Sequence, residues 1–254
     1  MLIWLPPSEG KTLPVRGKPL DLDALASPSL TDTRRTLVDG LVDLASQDPE
    51  KAAAVLGLGP SQADAVDRDA RLWSLPTARA DKVYSGVLFA ALDLASLDAS
   101  ARRRASSRLA VASALFGVVR PGDRIPAYRL SGGTSLPGIG SVASAWRGPL
   151  ADEVPALVGS GLLVDLRSQT YAGLFRPGRD LAPRTATVRV LQDKDGRRSI
   201  VSHFNKATKG QITRALLTEN VDVRRVDALA DALRDLGWTV EQDGTRLDVV
   251  VTEV

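Results

Sequence analysis

Near its middle the chain reads Leu109-Ala-Val-Ala-Ser-Ala-Leu-Phe-Gly-Val-Val-Arg-Pro-Gly-Asp-Arg-Ile-Pro-Ala-Tyr-Arg129. The first part, Leu109–Leu115, is a continuous apolar run of strand length, which predicts a strand buried on both faces of a sheet. Prolines and glycines interrupt the second part, so it does not form an ordinary amphipathic helix. The stretch therefore predicts an α/β fold in which a stiff loop follows a buried strand.

The rest of the chain fits this fold class. Strands are predicted at Leu2–Leu5, Leu162–Leu166, Thr185–Leu191, Arg198–Phe204, Trp238–Gln242 and Arg246–Thr252, with hairpin turns at Asp195-Gly196 and Asp243-Gly244. Helices are predicted at Thr31–Ala45, Glu50–Leu56, Ser61–Leu72, Lys82–Leu97, Val142–Val158, Lys206–Glu219 and Val226–Leu236. We predict a mixed α/β fold with a central mixed sheet and flanking helices. The chain is expected to form one domain over residues 1–254, with a helix-hairpin-helix-like insert at about residues 49–72.

The composition excludes several classes of protein. The 254 residues include no cysteine and one histidine, His203, which argues against disulfides, thiolate chemistry and multi-histidine metal sites. A lone histidine is more often structural than catalytic. No apolar run approaches the ~18 residues that a membrane span requires. We expect a cytoplasmic protein with no metal, no cofactor, no membrane association and no obligate protein partner.

Positive charge is concentrated in parts of the chain although the net charge is only +3. Residues 101–130 contain 7 Arg and one Asp, and residues 176–225 contain 12 Lys+Arg against 5 Asp+Glu. This asymmetry predicts a basic face suited to phosphates or nucleic acid, with arginines on solvated faces as the alternative. In the quoted stretch, Arg120, Arg124 and Arg129 make phosphate the first ligand to consider.

The loop after the first strand, Pro6-Pro-Ser-Glu-Gly-Lys-Thr12, also carries a cation. Its Gly-Lys-Thr resembles the end of a nucleotide-binding P-loop, but Leu5 stands where that pattern requires its first glycine. Lys11 is nevertheless a candidate anion ligand, and Ser8 and Glu9 are candidates for orienting it or for proton transfer. An ordinary turn is the alternative.

The sequence Gly57-Leu-Gly59 lies between two predicted short helices, as in a helix-hairpin-helix motif. In that motif glycines allow a DNA phosphate to approach backbone N–H groups at a helix N-terminus. The acidic residues Asp64, Asp67 and Asp69 follow closely and would repel a phosphate backbone. A purely structural turn is the alternative.

Two further segments combine charge with small polar groups. Asp165, Arg167, Ser168 and Tyr171 follow a predicted strand and could bind a polar ligand, or form an ion pair and a helix N-cap. Lys206 and Lys209 are predicted in the first turn of a helix, where lysines oppose the helix dipole unless an anion compensates. If the four strands that precede these loops share a sheet and a direction, the loops meet in one cationic cleft.

At these residues the chain resembles the YaaA family of bacterial peroxide-stress proteins. The resemblance rests on Leu2–Thr12, Val83–Gly86, Leu115–Leu130, Trp146, Asp165–Tyr171 and His203–Gly210. It implies a compact α/β fold with a basic cleft, a helix-hairpin-helix, duplex-DNA binding with little sequence preference and a role under peroxide stress. The family's motif residues fall on Lys11, Tyr84, Arg120, Tyr128, Arg129, Ser168, Tyr171, Lys206 and Lys209. The best-known branch differs in having Ser-Pro-Ala-Lys around Lys11 and Arg-Gly in place of Lys209-Gly210.

Two functions are therefore expected, and they share one cleft. The first is DNA binding through phosphate ligands, for which the candidates are Lys11, Gly57, Gly59, Arg120, Arg124, Arg129, Arg167, Ser168, Lys206 and Lys209. The second is an enzyme acting on a nucleotide, a nucleobase, damaged DNA or another phosphorylated small molecule, such as a metal-independent, lysine-based glycosylase or lyase. Its candidate catalytic residues are Ser8, Glu9, Lys11, Tyr128, Asp165, Tyr171 and Lys206.

Overall fold

The structure is a computed structural model that describes residues 1–194, 197–199 and 202–252. The predicted turn at Asp195-Gly196 and the side chain of His203 lie outside this description. The described strands are β1 (Leu2–Leu5), β2 (Ala78–Arg79), β3 (Leu109–Ser113), β4 (Gly117–Val119), β5 (Arg124–Ile125), β6 (Ser135–Leu136), β7 (Gly140–Ser141), β8 (Leu163–Asp165), β9 (Thr185–Lys194), β10 (Arg197–Ser199), β11 (Thr239–Asp243) and β12 (Arg246–Thr252).

Helices flank these strands, and short 3-10 turns occur at Pro28–Leu30, Pro60–Gln62, Leu94–Ser96 and Ala182–Arg184. The described helices are α1 (Thr31–Gln47), α2 (Pro49–Leu56), α3 (Ala63–Asp69), α4 (Ala80–Val83), α5 (Val87–Leu92), α6 (Ala99–Arg108), α7 (Val142–Val158), α8 (Gln169–Ala172), α9 (Ser202–Thr218) and α10 (Val226–Asp235). Helix α1 packs with α2, α3 and α7, whereas α9 packs on α5, α6 and β9. The fold is mixed α/β, as predicted.

Eight of the described strands form the central sheet in the order β11-β12-β9-β8-β1-β3-β4, with β10 paired to β9. Strands β12, β9, β8, β1 and β3 run parallel, and β4, β10 and β11 run antiparallel to their neighbours. Every residue of β1, β3 and β8 is buried. Their continuous apolar sequences are explained by this burial on both faces.

Strand β1 is the point where the direction of strand addition reverses. The chain passes from β1 to its neighbour β3 on one side, and later reaches β8 on the other side. Open α/β sheets bind ligands outside the carboxyl ends of their strands at such a switch point. The loop that contains Lys11 leaves the carboxyl end of β1, which is this position.

The turn between β3 and β4 is buried and held by side chains from two helices. Trp146 of α7 donates its indole N–H to the Ala114 carbonyl at 2.7 Å. Arg34 of α1 is fully buried and donates to the carbonyls of Phe116 and Val118 at 3.0 Å each. These contacts fix the carboxyl end of β3, where Ser113 lies.

Two sequence predictions differ from the structure. The helix predicted over 82–97 is divided into α4, α5 and a 3-10 turn, because Gly86 and Asp93 have φ values of 95° and 41°.

The strand predicted over 198–204 ends at Ser199, and α9 begins at Ser202. The start of α9 is helical despite its β-propensity, because the helix buries an apolar face against α5 and β9. Lys206 and Lys209 therefore lie beyond the first turn of this helix, contrary to the prediction.

We predict that Gly210→Ala destabilises the protein by about 1–3 kcal/mol, because the added methyl group overpacks the contact between α9 and α5. A Cβ at Gly210 would lie 2.3 Å from the Leu88 carbonyl oxygen and 2.9 Å from Cβ of Ala91. The matched control is Gly178→Ala, because a Cβ at Gly178 would contact nothing within 4 Å. Urea denaturation measures both variants. Equal unfolding free energies would show that the helix contact tolerates the methyl group.

Candidate functional site

The carboxyl edge of β1 and β3 brings several of the predicted residues together. Lys11 forms an isolated antiparallel bridge with Tyr84, and the Thr12 N–H donates to the Val83 carbonyl at 2.8 Å. Ser8 accepts a hydrogen bond at its hydroxyl from the Ser85 N–H at 3.0 Å. The loop after β1 is thus fixed on the segment 83–86, which the sequence analysis associated with it only through the family resemblance.

The amino group of Lys11 lies among aromatic rings. Its Nζ donates to the Ser8 carbonyl at 3.1 Å and lies 4.2 Å from the ring centre of Tyr128 and 5.8 Å from that of Tyr84. Burial lowers the pKa of Lys11 from 10.5 to about 8, although Glu9 and Asp69 oppose the shift. At pH 7 about a tenth of this amine is therefore uncharged, far more than for an ordinary lysine, which favours a nucleophilic role.

A chain of hydroxyl groups lies beside Lys11. The hydroxyl of Tyr128 is 2.7 Å from the Ser113 hydroxyl and 3.0 Å from that of Tyr84, and the Ser113 hydroxyl accepts from the Phe116 N–H at 2.9 Å. Burial raises the pKa of Tyr84 to about 12 and that of Tyr128 further above its usual value. Both phenols are therefore neutral and serve as hydrogen-bond donors.

The protein has three tyrosines, and the third lies near the other two. Tyr171 is buried, is hydrogen-bonded to the Gly132 backbone and the Ser131 side chain, and interacts electrostatically with Glu9 and Tyr84. Burial raises the pKa of its phenol. All three tyrosines of an aromatic-poor chain thus surround the loop that carries Lys11.

Two carboxylates complete the site. Arg129 pairs with Glu9 at 2.7 Å, and its backbone N–H donates to Asp69 Oδ1 at 3.0 Å. Asp69 is fully buried, and its Oδ2 has no hydrogen-bond partner among the described residues. Burial raises the pKa of Asp69 to about 7, against the influence of Lys11 and Arg129. Asp69 is therefore a buried carboxylate that interacts electrostatically with Lys11 without a hydrogen bond to its amino group.

From the sequence, Asp69 is predicted only to oppose DNA binding through its negative charge. One signal could have identified it. Asp69 lies four and three residues after Ala65 and Val66, so all three occupy one face of α3, and all three are buried. A carboxylate on the apolar face of a short helix requires a partner within the protein.

A cavity of about 240 Å³ opens beside Lys11. It is lined by Glu9, Gly10, Lys11, Leu13, Gln62, Asp64, Ala65, Arg68, Ala127, Tyr128 and Arg129. Residues 62–68 of this lining come from α3 and the turn before it, within the segment predicted as a helix-hairpin-helix-like insert. Helix α3 and the turn before it therefore form one wall of the cavity in which Lys11 lies.

The two glycines of the predicted hairpin lie outside the cavity lining. Gly57 has φ 65° and ends α2, and the N–H groups of Gly57 and Leu58 donate to carbonyls of that helix. The Gly59 N–H lies 3.4 Å from the Gln62 side-chain oxygen. These amides are engaged within the turn, and phosphate binding by Gly57 and Gly59 stays a prediction.

The residues after β8 form a buried structural cluster. Arg167 donates to both carboxylate oxygens of Asp165, at 2.9 and 2.7 Å, and to the carbonyls of Tyr171 and Phe175. Its guanidinium also lies 3.9 Å from the ring centre of Trp4. The sequence predicted an Asp165–Arg167 ion pair as the alternative to ligand binding by these residues, and the structure contains this ion pair. Ser168 occupies the N-cap position of α8 without a side-chain capping bond.

The two lysines of α9 have different environments. Lys209 is buried and donates to the Leu166 carbonyl at 2.8 Å, and burial lowers its pKa to about 8. Lys206, one turn earlier, is exposed. Lys209 joins α9 to the end of β8, whereas Lys206 remains accessible to a ligand.

Arg120 and Arg124 lie apart from Lys11. Because β4 runs antiparallel to β3, the chain returns to the opposite sheet edge, and Arg120 donates there to the carbonyls of Ser107 and Leu109 at 3.3 and 3.1 Å. Arg124 donates to the Thr77 carbonyl at 2.7 Å. The structure therefore brings Lys11, Tyr128 and Arg129 together but separates Arg120 from them.

Two properties of the described residues bear on the wider function. No group of three or more His, Asp or Glu within them is arranged to hold a metal ion. None of the helices that the structure describes has the length and apolar character needed to cross a membrane.

Comparison with known proteins identifies relatives of the whole chain. The family model described as peroxide stress protein YaaA matches residues 1–243. The chain is 48% identical to a UPF0246 protein of Streptomyces coelicolor and 42% identical to one of Corynebacterium efficiens, each match covering 100% of both proteins. A UPF0246 protein of Polynucleobacter asymbioticus is 30% identical, with 87% of each chain covered.

Proposed function

This chain belongs to the YaaA family of peroxide stress proteins, and on that premise we propose that it serves the peroxide stress response by binding DNA, largely without sequence preference. The observation that carries the proposal is the cavity beside Lys11, which lies at the switch point of the sheet and has α3 as one wall. Binding at this position would place DNA between the sheet edge and α3.

Exposed cations on and beside the loop that follows Lys11 support this proposal. Arg16 and Lys18 are exposed and have no ion-pair partner among the described residues, and Arg124 lies beside the same segment. The acidic residues on the rim are paired with arginines, Glu9 with Arg129 and Asp64 with Arg68. Cations in such positions bind phosphates without reading bases, so little sequence preference is expected.

We expect duplex affinity to fall steeply with salt. If about three phosphates are neutralised, the association constant falls roughly 40-fold between 50 and 200 mM salt. Replacing both Arg16 and Lys18 with Gln is expected to reduce the slope of log K against log salt by about 2. Fluorescence anisotropy with labelled duplex, bubble and single-stranded DNA measures this slope.

The matched control for that measurement is Arg225→Gln, because Arg225 is exposed and paired with Asp227 at the start of α10. This variant should bind DNA with the salt slope of the unmodified protein. Absence of binding to all three DNA forms at low salt would remove the proposal.

A second function is favoured by the environment of Lys11. The half-buried side chain, its lowered pKa and the unpartnered oxygen of Asp69 are features of a lysine that attacks carbonyl groups. We propose that the same cavity receives an aldehyde carried by damaged DNA, as in the ring-opened form of an abasic sugar. The protein would then be a lysine-based lyase.

In the proposed reaction the Lys11 ammonium group first loses a proton, and we propose Asp69, which interacts with it electrostatically, as the final acceptor of that proton. The free amine attacks the aldehyde carbon, and a C–N bond forms as the carbonyl oxygen takes up a proton. Loss of that oxygen as water gives a protonated imine. Removal of a proton from the adjacent carbon then forms a carbon–carbon double bond and expels the 3′ phosphate by breaking the C–O bond. Addition of water to the imine breaks the C–N bond, releases the unsaturated aldehyde and restores Lys11.

The rings of Tyr84 and Tyr128 lie beside the amine, and their neutral hydroxyl groups are hydrogen-bonded to each other. In the proposed reaction a phenol stabilises the oxygen on which negative charge develops as the amine attacks. Trapping of the imine by borohydride tests this chemistry.

A further inference from the structure

A loop beside the cavity displays apolar side chains to solvent. Within the described part of the chain, Leu13 and Val15 are the two large hydrophobic residues that are exposed, with 49% and 91% of their surface accessible. They lie two residues apart, and Leu13 also lines the cavity beside Lys11. Two aliphatic side chains exposed at the edge of a cavity provide apolar surface that a bound ligand would cover.

The loop is held in place at both ends. The Thr12 N–H donates to the Val83 carbonyl at 2.8 Å, and the Thr77 N–H and hydroxyl donate to the Lys18 carbonyl at 3.0 and 2.8 Å. Gly17 has φ 148°, and a Cβ there would lie 2.1 Å from the Thr77 carbonyl oxygen. Pro14 and Pro19 restrict the backbone further. Leu13 and Val15 are therefore presented by an ordered loop.

Positive charges surround these two side chains. Arg16 and Lys18 are exposed in the same loop, and the Arg124 guanidinium would lie 3.1 Å from a Cβ at Gly17. An apolar tip among cations matches the chemistry of duplex DNA, whose stacked bases are flanked by phosphates. Proteins that bend DNA insert one or two apolar side chains between base steps in this way.

We propose that Leu13 and Val15 form a wedge that enters the base stack of a duplex, while Arg16, Lys18 and Arg124 contact the flanking phosphates. This inference rests on the proposed DNA binding and adds the element that distorts the duplex. Unstacking next to the cavity brings the displaced nucleotide toward Lys11. Two aliphatic side chains bury too little surface for a stable protein interface, whereas one base step requires no more.

The test uses the whole protein and a duplex with 2-aminopurine, whose fluorescence rises on unstacking, opposite a tetrahydrofuran residue, which has no aldehyde and so is not cleaved through Lys11. The variant replaces Leu13 and Val15 with Ser. We expect it to lose most of the fluorescence rise and to bind plain duplex within about threefold of the unmodified protein, because phosphate contacts remain. The control replaces Leu13 with Met and Val15 with Ile, and it should retain the rise.

The outcomes separate the wedge from DNA binding itself. An equal fluorescence rise in the serine variant, or no rise with the unmodified protein bound, overturns the wedge and leaves the proposed DNA binding intact. Failure of the unmodified protein to bind any DNA overturns both. Binding to anionic phospholipid vesicles that the serine variant loses, with DNA binding unchanged in all respects, assigns the loop to a membrane surface and also overturns the wedge.

Discussion

Lys11→Met is expected to abolish the borohydride-trapped adduct between this protein and a duplex that contains an abasic site. The amine forms the C–N bond, and the methionine side chain has no group to replace it. The methionine can still pack on the Tyr128 ring, so the variant should fold. We expect the trapping rate to fall roughly 1,000-fold or more. The adduct is measured by its reduced mobility in a denaturing gel.

The pH dependence of trapping follows from the pKa of Lys11. Only the uncharged amine attacks, so the rate should rise with pH and level off above about 8, the pKa to which burial lowers this group. An amine with the ordinary pKa of 10.5 would still be gaining rate at pH 10. Near pH 7 the lower pKa gives roughly 300-fold more free amine.

Two further lysine variants test whether Lys11 is the nucleophile. Lys82→Met removes an exposed lysine that lies outside the cavity lining, and it should trap at the normal rate. Lys206→Met tests the other catalytic lysine predicted from the sequence. If trapping were lost in that variant and kept in Lys11→Met, the nucleophile would be Lys206 and the geometry around Lys11 would have another purpose.

Asp69→Asn is expected to reduce trapping while making the protein more stable at pH 8. The amide cannot accept the proton of Lys11, so the rate should fall about 100-fold or more. The side-chain oxygen of the amide would still accept the hydrogen bond that the Arg129 N–H gives to Asp69. Removing a buried negative charge should raise the free energy of unfolding by about 1–3 kcal/mol at pH 8.

The sign of this stability effect depends on pH. Because burial raises the pKa of Asp69 from 3.8 to about 7, the folded protein holds a proton there that the unfolded chain has lost between these values. The contribution of Asp69 to stability is therefore fully present below about pH 4 and is lost as pH rises through 7. The advantage of the amide variant should disappear near pH 4, which urea denaturation at both pH values measures.

Asp67→Asn is the matched control, because Asp67 lies on the same helix and is exposed. It should change neither trapping nor stability. Unchanged trapping in Asp69→Asn would show that Asp69 is a structural carboxylate and that water accepts the proton. An unchanged unfolding free energy at pH 8 would show that the carboxylate is already neutralised in the folded protein.

Much of the sheet could be predicted from the sequence. The continuous apolar runs at Leu109–Leu115 and Leu162–Leu166 contain β3 and β8, and the hairpin at Asp243-Gly244 joins β11 and β12 as predicted. Burial on both faces leaves little choice of side chain, so such strands are visible as apolar runs. The predicted extension to Phe204 is wrong, because an alternating sequence there belongs to the start of α9.

The site was predicted only in part. Lys11, Glu9, Tyr128 and Arg129 are brought together, whereas Arg120 lies at the opposite edge because β4 reverses the chain between them. That reversal results from the antiparallel pairing of β4 with β3. No local sequence pattern in Gly117–Val119 predicts this pairing. The positive charge of a loop is visible in sequence, but the edge of the sheet at which the loop emerges is not.

The sequence by itself determined which segments are buried, where the cations are concentrated and which family the residues resemble, because these properties depend on side-chain type and local spacing. Only the tertiary structure decided which charged side chains are paired within the protein and which remain accessible to a ligand. Folding pairs Arg167 with Asp165, and it brings Asp69 from a distant part of the chain close enough to Lys11 to interact with it electrostatically. Solvation and pairing set the pKa of each group, and both depend on neighbours that only folding supplies.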